Sequence, residues 1–70
     1  MPKLYSSDYI IKILGSHGFV FVSQKGSHIK MRKAGEPTLT AIVPANRKEI
    51  PTGTFRSILR QSALSEADFK

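Results

Sequence analysis

The chain has 70 residues, and 11 Lys plus Arg against 5 Asp plus Glu give it a formal charge of +6. That length allows one small domain spanning 1–70, near the lower limit for a chain folding on its own core; without cysteine, neither a disulfide framework nor a thiolate metal site can hold it together. The basic excess calls for an anionic partner, nucleic acid or an acidic protein, and a membrane surface is disfavoured because no segment sets a basic stripe opposite bulky apolar residues.

The opening Met1-Pro2-Lys3-Leu4-Tyr5-Ser6 leads into no long apolar run. Neither a signal peptide nor a membrane span is therefore expected, and the expected location is the cytoplasm, which the lack of cysteine also fits. The first helix is predicted over 7–17. Ser6 or Ser7 can cap it, Asp8 places a negative charge in its first turn, and Ile10, Ile13, Leu14 and His17 fall at i, i+3, i+4 and i+7. Gly18 then supplies a residue suited to ending a helix.

Phe19-Val20-Phe21-Val22-Ser23 is aromatic and β-branched throughout and predicts a strand; apolar character on both faces predicts that it is well covered. Phe19, Phe21, Phe55 and Phe69 are expected in the core, and Tyr5 and Tyr9 beside the first helix. Gly26 permits a tight hairpin into a second strand over 27–32. Lys33-Ala34-Gly35-Glu36-Pro37 reads as a turn, 39–43 as a third strand stopped by Pro44, and 45–50 as a polar, basic loop. Pro51 opens a second helix in which Phe55, Ile58, Leu59 and Ser62 share one face while Arg56 and Arg60 share another. Ser65 and Asp68 have capping-box spacing, which fits a final turn through Phe69 as well as a short tail. The fold class is α+β: helix, three-stranded antiparallel meander, helix, with both helices on one face of the sheet.

The chemistry concentrates in the second strand. Side chains two apart share a face, so Ile29 and Met31 point to the core and His28, Lys30 and Arg32 to solvent. Histidine ordinarily titrates near neutral pH and serves either proton role in cutting a phosphodiester. Lys25, Lys30 and Arg32 can meet the charge that develops on phosphorus, and Ser27 with the amides of the Lys25-Gly26 turn can orient phosphate oxygens. The carboxylates are scattered, without metal-ligand spacing, so no metal and no other cofactor is expected. His17 extends an apolar stripe and is read as a helix-terminal residue. On the residues alone a catalytic row and a solvated strand face both remain open.

Gln24-Lys25-Gly26-Ser27-His28, the segment Ile50-Pro51-Thr52-Gly53-Thr54-Phe55-Arg56-Ser57-Ile58-Leu59-Arg60-Gln61-Ser62 and the ending Leu64-Ser65-Glu66-Ala67-Asp68-Phe69 together resemble the HicA-type toxins, the mRNA interferases of HicA–HicB toxin–antitoxin pairs. The resemblance implies a fold like a double-stranded-RNA-binding domain, cleavage of mRNA, a HicB-like antitoxin partner, and His28 as the catalytic residue. The chain departs from the family pattern in carrying Ile29 directly after the motif and Ala45-Asn46 after Pro44, where many members have further histidines. A non-catalytic RNA-binding module is the alternative, and a scaffold for a DNA-binding partner is a third reading.

Overall fold

The computed structural model describes residues 4–70; residues 1–3, part of the opening read above for the absence of a signal peptide, lie outside the described residues. The order is α1 (Ser7–Ser16), β1 (Val20–Lys25), β2 (His28–Lys33), β3 (Leu39–Pro44), α2 (Thr52–Ser62) and a 3-10 turn (Glu66–Phe69). The α+β fold expected from the sequence is the fold observed. Among the described residues no helix is long and apolar enough to cross a membrane.

Helix α1 starts where its chemistry says it should. The Ser6 hydroxyl accepts from the Tyr9 amide at 3.1 Å, satisfying one of the unpartnered amides of the first turn. The helix closes at His17, and Gly18 follows at φ +94°, a left-handed conformation that costs glycine little. Ile10 and Leu14 are fully buried, with Ile11 and Ile13 packed partly against the same core. Ser7 is also buried. Its amide donates to the Arg47 carbonyl at 2.9 Å, and its hydroxyl donates to the Pro44 carbonyl and accepts from the Arg47 amide at 2.9 Å. The start of α1 is thereby tied to the end of β3 and the loop beyond it. Ser7→Ala strips both Pro44 and Arg47 of their side-chain partner. It is expected to cost about 1–3 kcal/mol, read as a fall in Tm of about 4–8 °C per kcal/mol for a domain of this size.

The sheet runs β1-β2-β3, antiparallel throughout. Both helices pack against β3, α2 most extensively. The core between them is Ile10, Leu14, Phe19, Met31, Ala41, Val43, Ile50, Phe55, Ile58 and Phe69, with Tyr5 closing one end. Tyr5 stacks on Tyr9 at 5.1 Å between ring centroids, so both tyrosines pack at α1 as expected. Helix α2 follows Pro51 and ends at Ala63, whose φ is +58°.

Two expectations fail. Strand β1 is exposed along its whole length, not covered, and Phe21 is 59 % exposed instead of core. The reason is lateral: the helices lie over β3, and β1 sits at the far edge of the sheet. The segment 45–50 is the expected polar loop over 46–49, all four exposed, and its end residues Ala45 and Ile50 are buried. They anchor its ends. The Ala45 amide donates to the Ser27 carbonyl at 2.7 Å and the Ile50 amide to the Tyr5 carbonyl at 2.8 Å.

Candidate active site

The site is built on the β1–β2 hairpin. Lys25 and His28 flank a two-residue connection, Gly26-Ser27, in which Gly26 has φ +58° and Ser27 does not leave negative φ. A positive φ at the first central position alone is the pattern of a II′ turn, whose twist matches that of the flanking strands. The Gln24 side-chain amide donates to the Gly26 carbonyl at 3.1 Å, bracing the turn from the strand side. The bond from Ala45 to Ser27 ties it to the end of β3.

The strand register decides which side chains meet. Lys25 pairs with His28 and His28 with Pro44; Ser23 pairs with Lys30 and Lys30 with Ile42; Val20 pairs with Arg32 and Arg32 with Thr40. Directly opposed residues share a face, with Cβ atoms about 4.5–5.5 Å apart. Along one strand, residues two apart are roughly 7 Å apart. His28 therefore has Lys25 beside it and Lys30 next along its own strand, with Arg32 one step further. All four lie on the face opposite Met31, Ala41 and Val43, the buried layer under the helices. His28, Lys25, Gly26, Ser27 and Arg32 are exposed, and Lys30 is half-buried.

Among the described residues the His28 imidazole has no hydrogen-bond partner. No other side chain fixes its tautomer, and both ring nitrogens are available to a bound molecule. The strip forms no enclosed pocket among the described residues, and no three His, Cys, Asp or Glu side chains there come together as a metal site. His17 lies elsewhere: it ends α1 and acts electrostatically on Asp68 at the chain's last turn. The sequence-predicted residues are thus brought to one hairpin, Lys25, His28, Lys30 and Arg32 on one face and Gly26 and Ser27 in the turn beside them, and His17 is not.

What the sequence concealed is the setting of that face. The apolar run Val20-Phe21-Val22 borders it as a bare edge, and α2 holds the opposite edge through Gln61, whose side-chain oxygen accepts from the Ile42 amide at 3.0 Å. A glutamine on a helix gives no hint of a partner on a strand 19 residues away.

A basic α+β domain with a lone histidine among lysines and arginine on its open sheet face has the charge distribution of a class of small domains that meet polyanions. Comparison with known families narrows the class. The family model for the HicA toxin of bacterial toxin–antitoxin systems matches residues 7–64, and the chain belongs to that family. The family is known for ribonuclease activity, and its membership implies RNA as substrate and an antitoxin as partner. No curated protein matches the chain.

Proposed function

We propose that this chain is a cytoplasmic endoribonuclease toxin that cleaves mRNA without a metal, with His28 as its general acid/base, and that a HicB-like antitoxin neutralises it. The observation that carries the reading is the register that sets His28 beside Lys25 and in line with Lys30 and Arg32 on one exposed face. RNA carries its own nucleophile. The ribose 2′-oxygen attacks the adjacent phosphorus as its proton passes to a base. The bond to the 5′-oxygen then breaks as that oxygen takes a proton, leaving a 2′,3′-cyclic phosphate. An imidazole with both nitrogens free serves in either proton transfer. The neighbouring cations stabilise the extra negative charge on the phosphorane. Lys30 or water takes the second proton role.

The flat strip suits a strand laid along it, with phosphates spaced over Lys25, Lys30 and Arg32. Removing two of these charges reports on the interface directly. Lys30→Ala combined with Arg32→Ala is expected to weaken RNA binding. The slope of log K against log salt should also shrink, by about 0.7 for each phosphate of a single strand that is no longer neutralised. An unchanged slope would remove both residues from the interface.

The test of the function is incubation of purified protein with single-stranded RNA in chelator, with the product ends identified. Cleavage that leaves cyclic phosphate or 3′-phosphate ends establishes the reaction. Salt-sensitive binding without cleavage would instead establish the non-catalytic RNA-binding module of double-stranded-RNA-binding-domain type.

A further inference from the structure

A three-stranded sheet has two edges, and this one treats them differently. At β3 the helices engage the backbone: the Ile42 amide donates to the Gln61 side chain of α2, and the Pro44 carbonyl accepts from the Ser7 hydroxyl of α1. At β1 no described element does so. All six residues of β1 are exposed, Val20 at 63 %, Phe21 at 59 % and Val22 at 40 %. An edge strand presents a row of unpaired amides and carbonyls that can template another strand, and proteins ordinarily blunt such edges with charge, proline or a covering loop. Here the exposed stretch is three consecutive apolar residues. The edge is blunted only by a bulge between Phe21 and Ser23 and by Lys25 at its end, which leaves the apolar stretch itself uncovered. Such an edge, about 20 Å long at strand rise, is costly to leave bare.

We propose that β1 is the docking edge for the antitoxin, which adds an extended segment as a fourth strand, its side chains alternating apolar and acidic. This rests on the reading of the chain as a toxin with an antitoxin partner. The charge around the edge selects the occupant. Lys25 lies on β1 itself, and Arg32 and Lys30 lie one strand in, opposite Val20 and Ser23. A second copy of this chain, also carrying +6, would set cationic rows side by side, an unfavourable pairing. An acidic segment finds complementary charge on the open face and apolar contact at Val20, Phe21 and Val22. Strand addition of this kind draws affinity from main-chain hydrogen bonds and specificity from alternate side chains.

The placement also gives a route to inhibition. A strand added to β1 lies two strand spacings, about 10 Å, from the His28 row. Its acidic side chains would neutralise Lys25 and compete with phosphate for Lys30 and Arg32. No group need be inserted against His28.

The probe is a HicB-like antitoxin, purified and mixed with the full chain. Two measurements decide. The first is amide hydrogen exchange of the chain alone and in the complex. The second is affinity for parent, Phe21→Lys and Phe21→Val. The expected result is protection gained along β1 on complex formation. Affinity should fall at least tenfold for Phe21→Lys and little for Phe21→Val, with RNA cleavage by the free variants unchanged because Phe21 is outside the RNA strip. Tight binding with β1 exchange unchanged would overturn the edge while leaving the toxin reading intact. Protection of β1 in the chain alone at high concentration, lost on dilution, would make a second copy the occupant and overturn it too. No complex and no RNA cleavage would defeat the toxin reading itself, and the proposal with it.

Discussion

Replacing His28 with alanine is expected to lower RNA cleavage by about 10²- to 10⁴-fold, the range a positioned acid or base contributes. The fold should not notice. His28 is exposed, has no hydrogen-bond partner for its ring among the described residues, and its strand is held by Met31 on the opposite face. Surface substitutions of this kind stay within about 0.5 kcal/mol, so parent and variant should share a melting curve. RNA binding should also survive, because Lys25, Lys30 and Arg32 are untouched and phosphate contacts dominate affinity. The measurement is the rate of cleavage of one RNA at saturating protein, in chelator, for both proteins from matched preparations. Equal rates would remove His28 from the reaction and point to a contaminating nuclease or to another residue. A variant that still binds, folds and fails to cut separates catalysis from attraction, which charge counting cannot do.

The parts legible in the sequence are those fixed by neighbours along the chain. The spacing of Ile10 and Leu14, and of Phe55, Ile58 and Ser62, marks the buried faces of both helices, and all five are buried. Gly26 marks the hairpin, and once the hairpin is set, alternation along β2 puts His28, Lys30 and Arg32 on one face. The candidate site was readable for that reason: it lies within a single local unit. What lay beyond reach depends on how separate elements dock. Val20, Phe21 and Val22 carry the signature of a strand, but whether a strand is covered is decided by where the helices land, and they land on β3. The same holds for Ser7 and Gln61. A capping serine and a surface glutamine are each ordinary in sequence, and only the packing of α1 and α2 gives them backbone partners at Pro44, Arg47 and Ile42.

The largest effect on stability is expected from Phe69→Ala, at a residue whose segment reads equally well as a tail. The Ser65 amide donates to the Asp68 carboxylate at 2.8 Å, and the Ser65 hydroxyl bonds the same oxygen at 3.2 Å. This box folds the last residues into a turn that drives Phe69 into the core, where it is fully buried. Its ring meets Phe55 edge-on at 5.1 Å and Tyr5 at 6.1 Å, and its carbonyl accepts from the Tyr9 hydroxyl. Truncating a buried phenylalanine costs about 3–5 kcal/mol. A domain of 70 residues at ~0.05–0.15 kcal/mol per residue has only about 3.5–10 kcal/mol in all. Phe69→Ala should therefore leave a chain that melts tens of degrees lower or is already partly unfolded at 25 °C, by circular dichroism. Glu66→Ala, an exposed change in the same turn, should melt with the parent. The Ser65 amide, with its hydroxyl and His17 adding to it, holds the Asp68 carboxyl below the usual carboxylate range. A depressed acid stabilises the fold above its ordinary pKa, and that contribution is lost as pH falls through the lower, folded value. Docking of Phe69 should accordingly weaken in acid, and Asp68→Asn should flatten that part of the stability-against-pH curve. If Phe69→Ala melts with the parent instead, the segment is a tail and the core closes on Tyr5 and Phe55 alone.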